Sequence, residues 1–458
     1  MIMKKLIFGL IATFLIMGGL QAQDVKKIKK EASKALSAYR LDNTNKEKMT
    51  TAVESVKQLM GMDIPADEAA DAYIVAGDVY NELVNQIMTS KQLGLNTAED
   101  LPTVKYVELK AYDSYKKALA ASEKKYQIKA AVKGIRNAQN FLQQAGIDAY
   151  TSQDYGGAYN AFKSMIESHE LLTQNEAESG LSDEANLKNA KYLTGLAAYN
   201  SNQIKIATDL FTELYNNGSE EPAVYEYLYK INAEDDLEGA YKYLEEGREK
   251  FPEEVSILFA EINHYLKLGQ SDKLIDKIKL AIAAEPDNIS LYNVLGNTYD
   301  NLHQDAAKNG DEAKADEYFG LAVDQFAQAY GKDKDNATAV YSIGQLYYNK
   351  AALKTQELQK YASDYSKEGM KKYEEARDAV FEQFDKALPF FQKSEALNPN
   401  DTNTLIALKE IYAKKDDLET SNLFKERLET LQGGGKIDAP HFKSGSVDID
   451  SIISGIKK

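Results

Sequence analysis

The sequence predicts an all-α fold built from stacked antiparallel helix pairs. Three observations predict it. An apolar pattern recurs in register: Leu258 and Tyr265 are followed 34 residues later by Tyr292 and Tyr299, and a further copy reads Val340, Ile343, Gly344 and Tyr347. Within each copy the apolar positions fall at helical steps of three and four. Only eight prolines are spread over 458 residues, and β-branched runs are few. One compact core stops growing near ~250–300 residues, so this length needs another solution. A stack of repeats supplies it, because each repeat touches only its neighbours.

The pairs follow in order. A degenerate first pair spans Asp24 to Gly61, with a stripe at Val25, Ile28, Ala32, Leu36 and Tyr39. The second carries Tyr73, Ala76, Gly77 and Tyr80, then Ala111, Tyr115 and Ala118. Leu142, Ala145 and Gly146 open the third, and Tyr155, Ala158, Phe162 and Met165 close it. The fourth has Gly195, Ala198, Ala207, Phe211 and Leu214. A weaker fifth, with Leu228, Leu237, Ala240, Leu244 and Gly247, ends on Phe251-Pro252. The sixth runs from Leu258 to Pro286, where a proline stops the helix because it lacks an N–H and clashes with the preceding turn. Tyr292, Leu295, Gly296 and Tyr299 mark the seventh, which closes on Phe326 and Ala329. Its end at Lys332 to Asn336 has Lys334 where a proline is expected. The eighth runs from Val340 to Ala387, Phe391 and Pro399, and a last hairpin carries Leu405, Leu408, Tyr412, Leu418 and Leu428.

These positions follow the pattern aromatic-x2-Leu-Gly-x2-Tyr on a first helix, Ala-x3-Phe-x2-Ala on a second, and a proline turn. Over nearly all of its length beyond the first residues, the chain resembles the tetratricopeptide repeat (TPR) family. The resemblance implies a right-handed superhelical solenoid of about eight antiparallel helix pairs over residues 23–432, some with lengthened helices. The departures are the absence of Trp, the missing small residue in the fifth unit and insertions in three units. The small residue is read as letting the two helices of a hairpin approach, with large residues filling the space between hairpins.

In this family the first helices line a concave face, and residues between the packing positions point into it. Carried over by register, the seventh unit offers Asn293, Asn297, Asp300 and Asn301. The eighth offers Tyr341, Gln345, Tyr348 and Asn349, and the last hairpin Ile406, Glu410 and Lys414. Amides beside tyrosines suit an extended peptide: amides satisfy its backbone groups, and Tyr supplies area at low entropy cost. Some family members clamp a peptide's terminal carboxylate with Lys and Asn. Asn297 matches one such Asn, but Asn293 stands where the Lys would be, so that clamp is not expected.

Insertions fall near 81–110, 300–321 and 348–386, each between the two helices of its own repeat. The longest continues the helical period through Leu353, Leu358, Tyr361, Tyr365, Tyr373, Ala376, Val380 and Phe384. It is read as both helices lengthened. The adjacent extension has Gly310 at its expected turn. The two are expected to pack on each other as a projecting lobe.

Composition narrows the function. Lys4, Lys5, the apolar run Leu6 to Leu20 and Gln21-Ala22-Gln23 read as a secretory signal over residues 1–22, cleaved after Ala22. Fifteen apolar residues fall short of the ~20 a membrane span needs; the alternative is an uncleaved anchor, the one membrane association expected. The expected location is the periplasm of a Gram-negative cell, or outside it. With no Cys, neither a disulfide nor the acylated cysteine of a lipoprotein is available. Net charge is −16, and −18 without Lys4 and Lys5, since the first 22 residues hold no acid. Such a surface repels phosphate backbones and anionic lipid, so no nucleic-acid partner is expected.

His169, His264, His303 and His441 lie in different units without metal-ligand spacing, and no phosphate loop or nucleophile elbow occurs. No enzyme activity, cofactor or metal is expected. Residues 433–458 read as a flexible tail opened by Gly433-Gly434-Gly435. It carries a short amphipathic helix with Ile449, Ile452, Ile453 and Ile456 on one face and Asp448 as its cap. An isolated helix this short is marginal in water, so it is expected to form only when docked. Asp450-Ser451-Ile452 also looks like the O-glycan acceptor of some exported proteins. The expected function is a non-catalytic protein-protein interaction scaffold of the cell envelope. The alternative is a periplasmic module that binds a peptide or ligand in the concave groove.

Overall fold

The computed structural model describes residues 23–94, 99–443, 445 and 447–456; the expected export segment at 1–22 lies outside them. The described residues form helices and no strand, as an all-α helical repeat array should. The chain divides into two compact units, one ending at Gly247 and one starting at Arg248. In the first, α1 (residues 23–41) pairs with α2 (Lys46–Met60), and α3 (Ala66–Gln92) with α4 (Val107–Ala121). There α5 (Lys125–Thr151) pairs with α6 (Tyr155–Gln174), α7 (Glu184–Asn200) with α8 (Ile204–Asn216), and α9 (Pro222–Asn232) follows. The division falls near the end of α10 (Leu237–Lys250). In the second unit, α11 (Val255–Leu268) pairs with α12 (Ser271–Ala284), and α13 (Ile289–Lys308) with α14 (Glu312–Lys332). There α15 (Ala337–Tyr361) pairs with α16 (Lys367–Leu397), α17 (Thr402–Lys414) with α18 (Leu418–Gln432), and the short α19 (Ile449–Ile456) closes the chain. The hairpin boundaries follow the repeat pattern; the boundary between units is not marked in it.

Local chemistry explains where helices start. The first N–H groups of a helix have no partner inside it, and an Asp, Asn or Ser side chain supplies one. Asp183 accepts from Ala185 N at 2.9 Å, Asn336 from Ala339 N at 3.0 Å and Ser366 from Gly369 N at 3.0 Å. Asp401 does the same for Thr404 N at 2.8 Å, and Asp417 for Thr420 N at 3.0 Å. Pro222 occupies the first turn of α9, where its missing N–H costs nothing. Pro389 lies inside α16 instead, where it removes one backbone hydrogen bond.

Helices pair because a ring lies on a glycine. A Cβ on Gly77 would meet the Tyr115 ring at 2.6 Å, and one on Gly195 the Phe211 ring at 2.8 Å. In the second unit Gly296 faces Phe326 at 2.6 Å and Gly344 faces Phe391 at 3.1 Å. Gly146 faces Phe162 in the same way. These rings fill the space inside a hairpin, not the space between hairpins that the sequence suggests for large residues. Tyr115 does both, since Gly134 of the next hairpin closes on its other side.

The insertions are mostly helix. At 300–321 both helices lengthen and turn tightly at Gly310, with a φ of +76° that a glycine adopts without strain. At 348–386, α15 and α16 extend to a turn at 362–366. Near 81–110, α3 lengthens and a loop follows, tied down where the Tyr106 hydroxyl donates to Asp154 at 2.7 Å. The two neighbouring extensions meet near their bases. Phe319 sits edge-on to Tyr347 at 5.1 Å, and Lys350 reaches Asp316 at 2.7 Å. The tip of the longer hairpin carries Tyr365 at 84% exposure and Met370 at 52%.

One departure from the repeat pattern has a visible cause. Glu261 of α11 stands where the pattern has Leu, yet it is 1% exposed. Lys277 donates to it at 2.7 Å and Arg248 at 3.3 Å. A buried carboxylate persists only with such partners.

Candidate functional site

In the second unit the residues assigned to the groove occupy first-helix positions as follows. Asn293, Asn297 and Asp300 stand at i, i+4 and i+7 of α13, which places them on one face. Asn297 is exposed, Asn293 and Asp300 half-buried. Asn293 Oδ1 and Asp300 Oδ1 are buried without a hydrogen-bond partner among the described residues, while Asp300 Oδ2 accepts from Gln304 at 3.0 Å. Burial pushes the Asp300 carboxyl above its usual range, against the hydrogen bond from Gln304 and the nearby His303.

On α15, Gln345 is exposed and Asn349 half-buried. Tyr341 lies edge-on to Phe391 at 5.6 Å. Tyr348 lies edge-on to Phe384 at 5.4 Å, and its hydroxyl donates to Glu410 of α17. Burial, and then that hydrogen bond, raise the Tyr348 hydroxyl well above its ordinary pKa. So Tyr348 joins the first helices of consecutive repeats and its hydroxyl already has an acceptor. Asn293, Asn297, Asp300 and Gln345 keep polar atoms free of such a role.

The first unit carries a groove that the sequence did not single out. Asn81, Glu82 and Asn85 of α3 face Asn137, Asn140 and Phe141 of α5 around a depression of about 270 Å³. Asn81 Oδ1 is buried with no partner among the described residues. Glu82 is fixed by Arg40 at 2.9 Å and Gln86 at 3.0 Å. A second depression of about 470 Å³ lies between α1, α3 and α5, lined by Lys29, Ser33, Ile74, Val75 and Tyr126. Tyrosines gather further along the same unit. Tyr199 of α7 meets Tyr227 of α9 at 4.8 Å, Tyr227 stacks on Phe211 at 5.2 Å, and Asn200 donates to the Tyr150 hydroxyl at 3.0 Å. Tyr192, beside them, is pushed up to about 12 by burial and then by Glu221.

A signal for part of this groove was present. The register that selects Asn293 and Asp300 in the seventh unit selects Ile74 and Asn81 in the second. It fails on α5, which is 27 residues long and serves two ring contacts, Gly134 with Tyr115 and Gly146 with Phe162. One helix then has two registers, and the sequence offered only one.

Asparagine carboxamides each hold a donor and an acceptor, which matches the main chain of an extended peptide. Tyrosines beside them offer flat apolar area with a polar tip. The histidines are spread out. His169 lies 2.9 Å from Ser179, His303 Nδ1 is 2.8 Å from the Ala315 carbonyl, His264 packs beside Tyr265, and His441 lies against Phe424. Among the described residues no group of three or more His, Cys, Asp or Glu could hold a metal ion. None of the described helices is long and apolar enough to cross a membrane.

No protein-family model and no curated protein matches the chain. Solved structures do, and those described as TPR proteins lie among them. The chain is similar to the MamA protein, with 17% identity over 44% of this chain and 94% of that one, at a TM-score of 0.32. It is similar to YrrB, described as a TPR protein with an unusual peptide-binding site, with 15% identity over 51% and 98% and a TM-score of 0.31. A TPR repeats protein from Bacteroides fragilis shares 19% identity over 60% and 98%, at a TM-score of 0.24.

Proposed function

We propose that this chain is a non-catalytic interaction module that holds an extended peptide segment of a partner protein against its first helices. The observation that carries the reading is the facing asparagines Asn81, Asn85, Asn137 and Asn140, with a buried and unsatisfied Asn81 carbonyl. A buried acceptor without a donor costs free energy, and a peptide N–H would relieve it. The second-unit face at Asn293, Asn297 and Asp300 repeats the same chemistry with two orphaned oxygens, one on Asn293 and one on Asp300. We further propose that the protein works as a scaffold in the cell envelope, exported by residues 1–22. That proposal rests on the basic start, apolar run and small residues of that segment.

The test is a photo-crosslinking amino acid at Asn85, at Asn297 and at Tyr365, each in the full chain in intact cells. Adducts at Asn85 or Asn297 uphold the peptide groove. Adducts at Tyr365 alone move recognition to the tip of the α15–α16 hairpin and sink the groove reading. The export proposal has its own check: protein from the envelope fraction should begin at Gln23 by intact mass, and a full-length chain in the cytoplasm would refute it.

A further inference from the structure

Residues 433–443 and 447–456 fold back within the second unit, and the first of these stretches occupies a built clamp there. The turn starts at Gly434, with a φ of +79°, and Gly435 N donates to Thr430 O at 2.9 Å. Asn400, between α16 and α17, then pairs with the main chain of Ile437 in both directions. Its amide donates to the Ile437 carbonyl at 3.0 Å, and its carbonyl accepts the Ile437 N–H at 2.9 Å. Glu395 of α16 is 0% exposed. It accepts the His441 N–H at 2.8 Å and the Phe442 N–H at 3.0 Å, and Arg427 of α18 donates to it at 2.7 Å. Arg427 also donates to the Ala439 carbonyl at 2.8 Å. The rings of His441 and Phe442 lie against Phe424 at 5.5 and 5.8 Å. Further on, Ile449 and Ile453 are buried and Asp450 pairs with Lys334.

Apart from the Arg427–Glu395 pair, the hydrogen bonds that Asn400, Glu395 and Arg427 make here are to main-chain atoms of the tail. Such a clamp reads a bent main chain rather than a particular sequence: the tail bends at 439 and at 441–442, so that two successive N–H groups converge on one carboxylate, and only Phe424 asks for side chains, a pair of rings. Two adjacent N–H groups on one buried carboxylate also exclude proline at either position, because proline has no N–H. The resident tail leaves one donor of the clamp unused: Arg427 Nε is buried without a partner among the described residues. Three glycines join the tail to α18, their N–H groups donating to the carbonyls of Glu429, Leu431 and Thr430.

We propose that Asn400, Glu395, Arg427 and Phe424 form a second peptide-binding site, and that the chain's own tail is its tethered occupant. The ligand class is a segment of a partner protein that bends as the tail does and carries two adjacent aromatic residues at the bend, and it competes with the tail. The site is built on α16, α17 and α18 and does not rest on the first-helix grooves. A tethered occupant competes at an effective concentration of about millimolar, so the intact chain binds a rival weakly until that rival outcompetes the tail.

The experiment uses the full chain and a fluorescein-labelled synthetic peptide of the sequence from Lys436 to Lys443. In Phe442→Pro/Ile449→Asp the tail loses one N–H to Glu395, the Phe442 ring on Phe424 and one buried anchor, while the clamp stays intact. This variant should bind the labelled peptide at least about 10-fold tighter than wild type, measured by anisotropy. Adding Asn400→Ala should remove the gain, and Leu41→Ser, at a side chain 90% exposed and outside both sites, should leave it unchanged. Equal affinity in wild type and tail variant, or a gain that survives Asn400→Ala, overturns the site. If the tail variant melts near assay temperature, amide exchange in wild type decides. Exchange at His441 and Phe442 about 100-fold faster than at Ile411 of α17 means the tail opens by itself. Exchange at the same rate as Ile411 makes the tail a fixed part of the core and refutes the proposal.

Discussion

Gly296 shows how much one hydrogen atom decides here. A methyl at that position would stand 2.6 Å from the Phe326 ring, which is 1% exposed and has nowhere to retreat. Overpacking of this kind costs about 1–3 kcal/mol, so Gly296→Ala should lower the midpoint of thermal unfolding by several degrees. Gly320 makes the control, because a Cβ there meets nothing within 4 Å and alanine favours the helix. Asp300 carries the opposite kind of cost. Its folded-state pKa is raised by burial, so folding prefers the protonated form. The penalty is absent below the pKa of the unfolded chain and grows as pH rises through the folded value. Asp300→Asn should therefore raise the melting temperature at pH 7, with a gain that fades as pH drops below the usual aspartate range. Melts at pH 7 and pH 3 check this, and a gain that is the same at both would contradict it.

Helices in this chain are held at their ends as well as along their faces. Asp154 is the clearest case, since one oxygen accepts the Gly157 N–H at 3.0 Å and the other the Tyr106 hydroxyl at 2.7 Å. It caps α6 and fastens the loop that follows α3 in one residue. Loss of such a cap costs about 1 kcal/mol, so Asp154→Ala should destabilise by at least that amount in urea titration. The hydrogen bond from Tyr106, and then that from Gly157, lower the Asp154 pKa. Its contribution is thus present above the unfolded value and lost as pH falls through the folded one. The α15–α16 hairpin is a different kind of element. Its base is locked by Phe319, Tyr347 and the Lys350–Asp316 pair, while its tip exposes Tyr365 and Met370. Tyr365→Ser/Met370→Ser should leave the melting temperature within about a degree, since exposed side chains contribute little.

At the scale of the whole molecule, two compact units share one building rule. A ring on a glycine closes each of several hairpins, and packing joins neighbouring helices except at the tail, which returns to α16. The excess of acid over base, −16 overall, sets a field that the ion pairs do not cancel. Net charge of one sign opposes compaction, and salt screens it over about 10 Å at 0.1 M. Raising NaCl from 20 to 300 mM should therefore stabilise the protein by thermal melt; a fall would mean that its exposed ion pairs outweigh the self-repulsion.

Helix type, hairpin pairing and the lengthened helices at 300–321 and 348–386 were legible in the sequence. Periodicity of three and four, a glycine at the crossing and a capping Asp or Asn are local signals, and local signals are written in consecutive residues. Asn293, Asn297 and Asp300 could be placed on one face for the same reason. The tertiary structure alone decided which polar atoms have partners. It showed that Tyr348 is already engaged by Glu410 and that Asn81 faces Asn137 across two helices. It also showed that Glu395 holds residues 46 and 47 positions further on. Satisfaction of a buried group depends on what other segments bring within 3 Å of it, and no spacing along the chain records that distance.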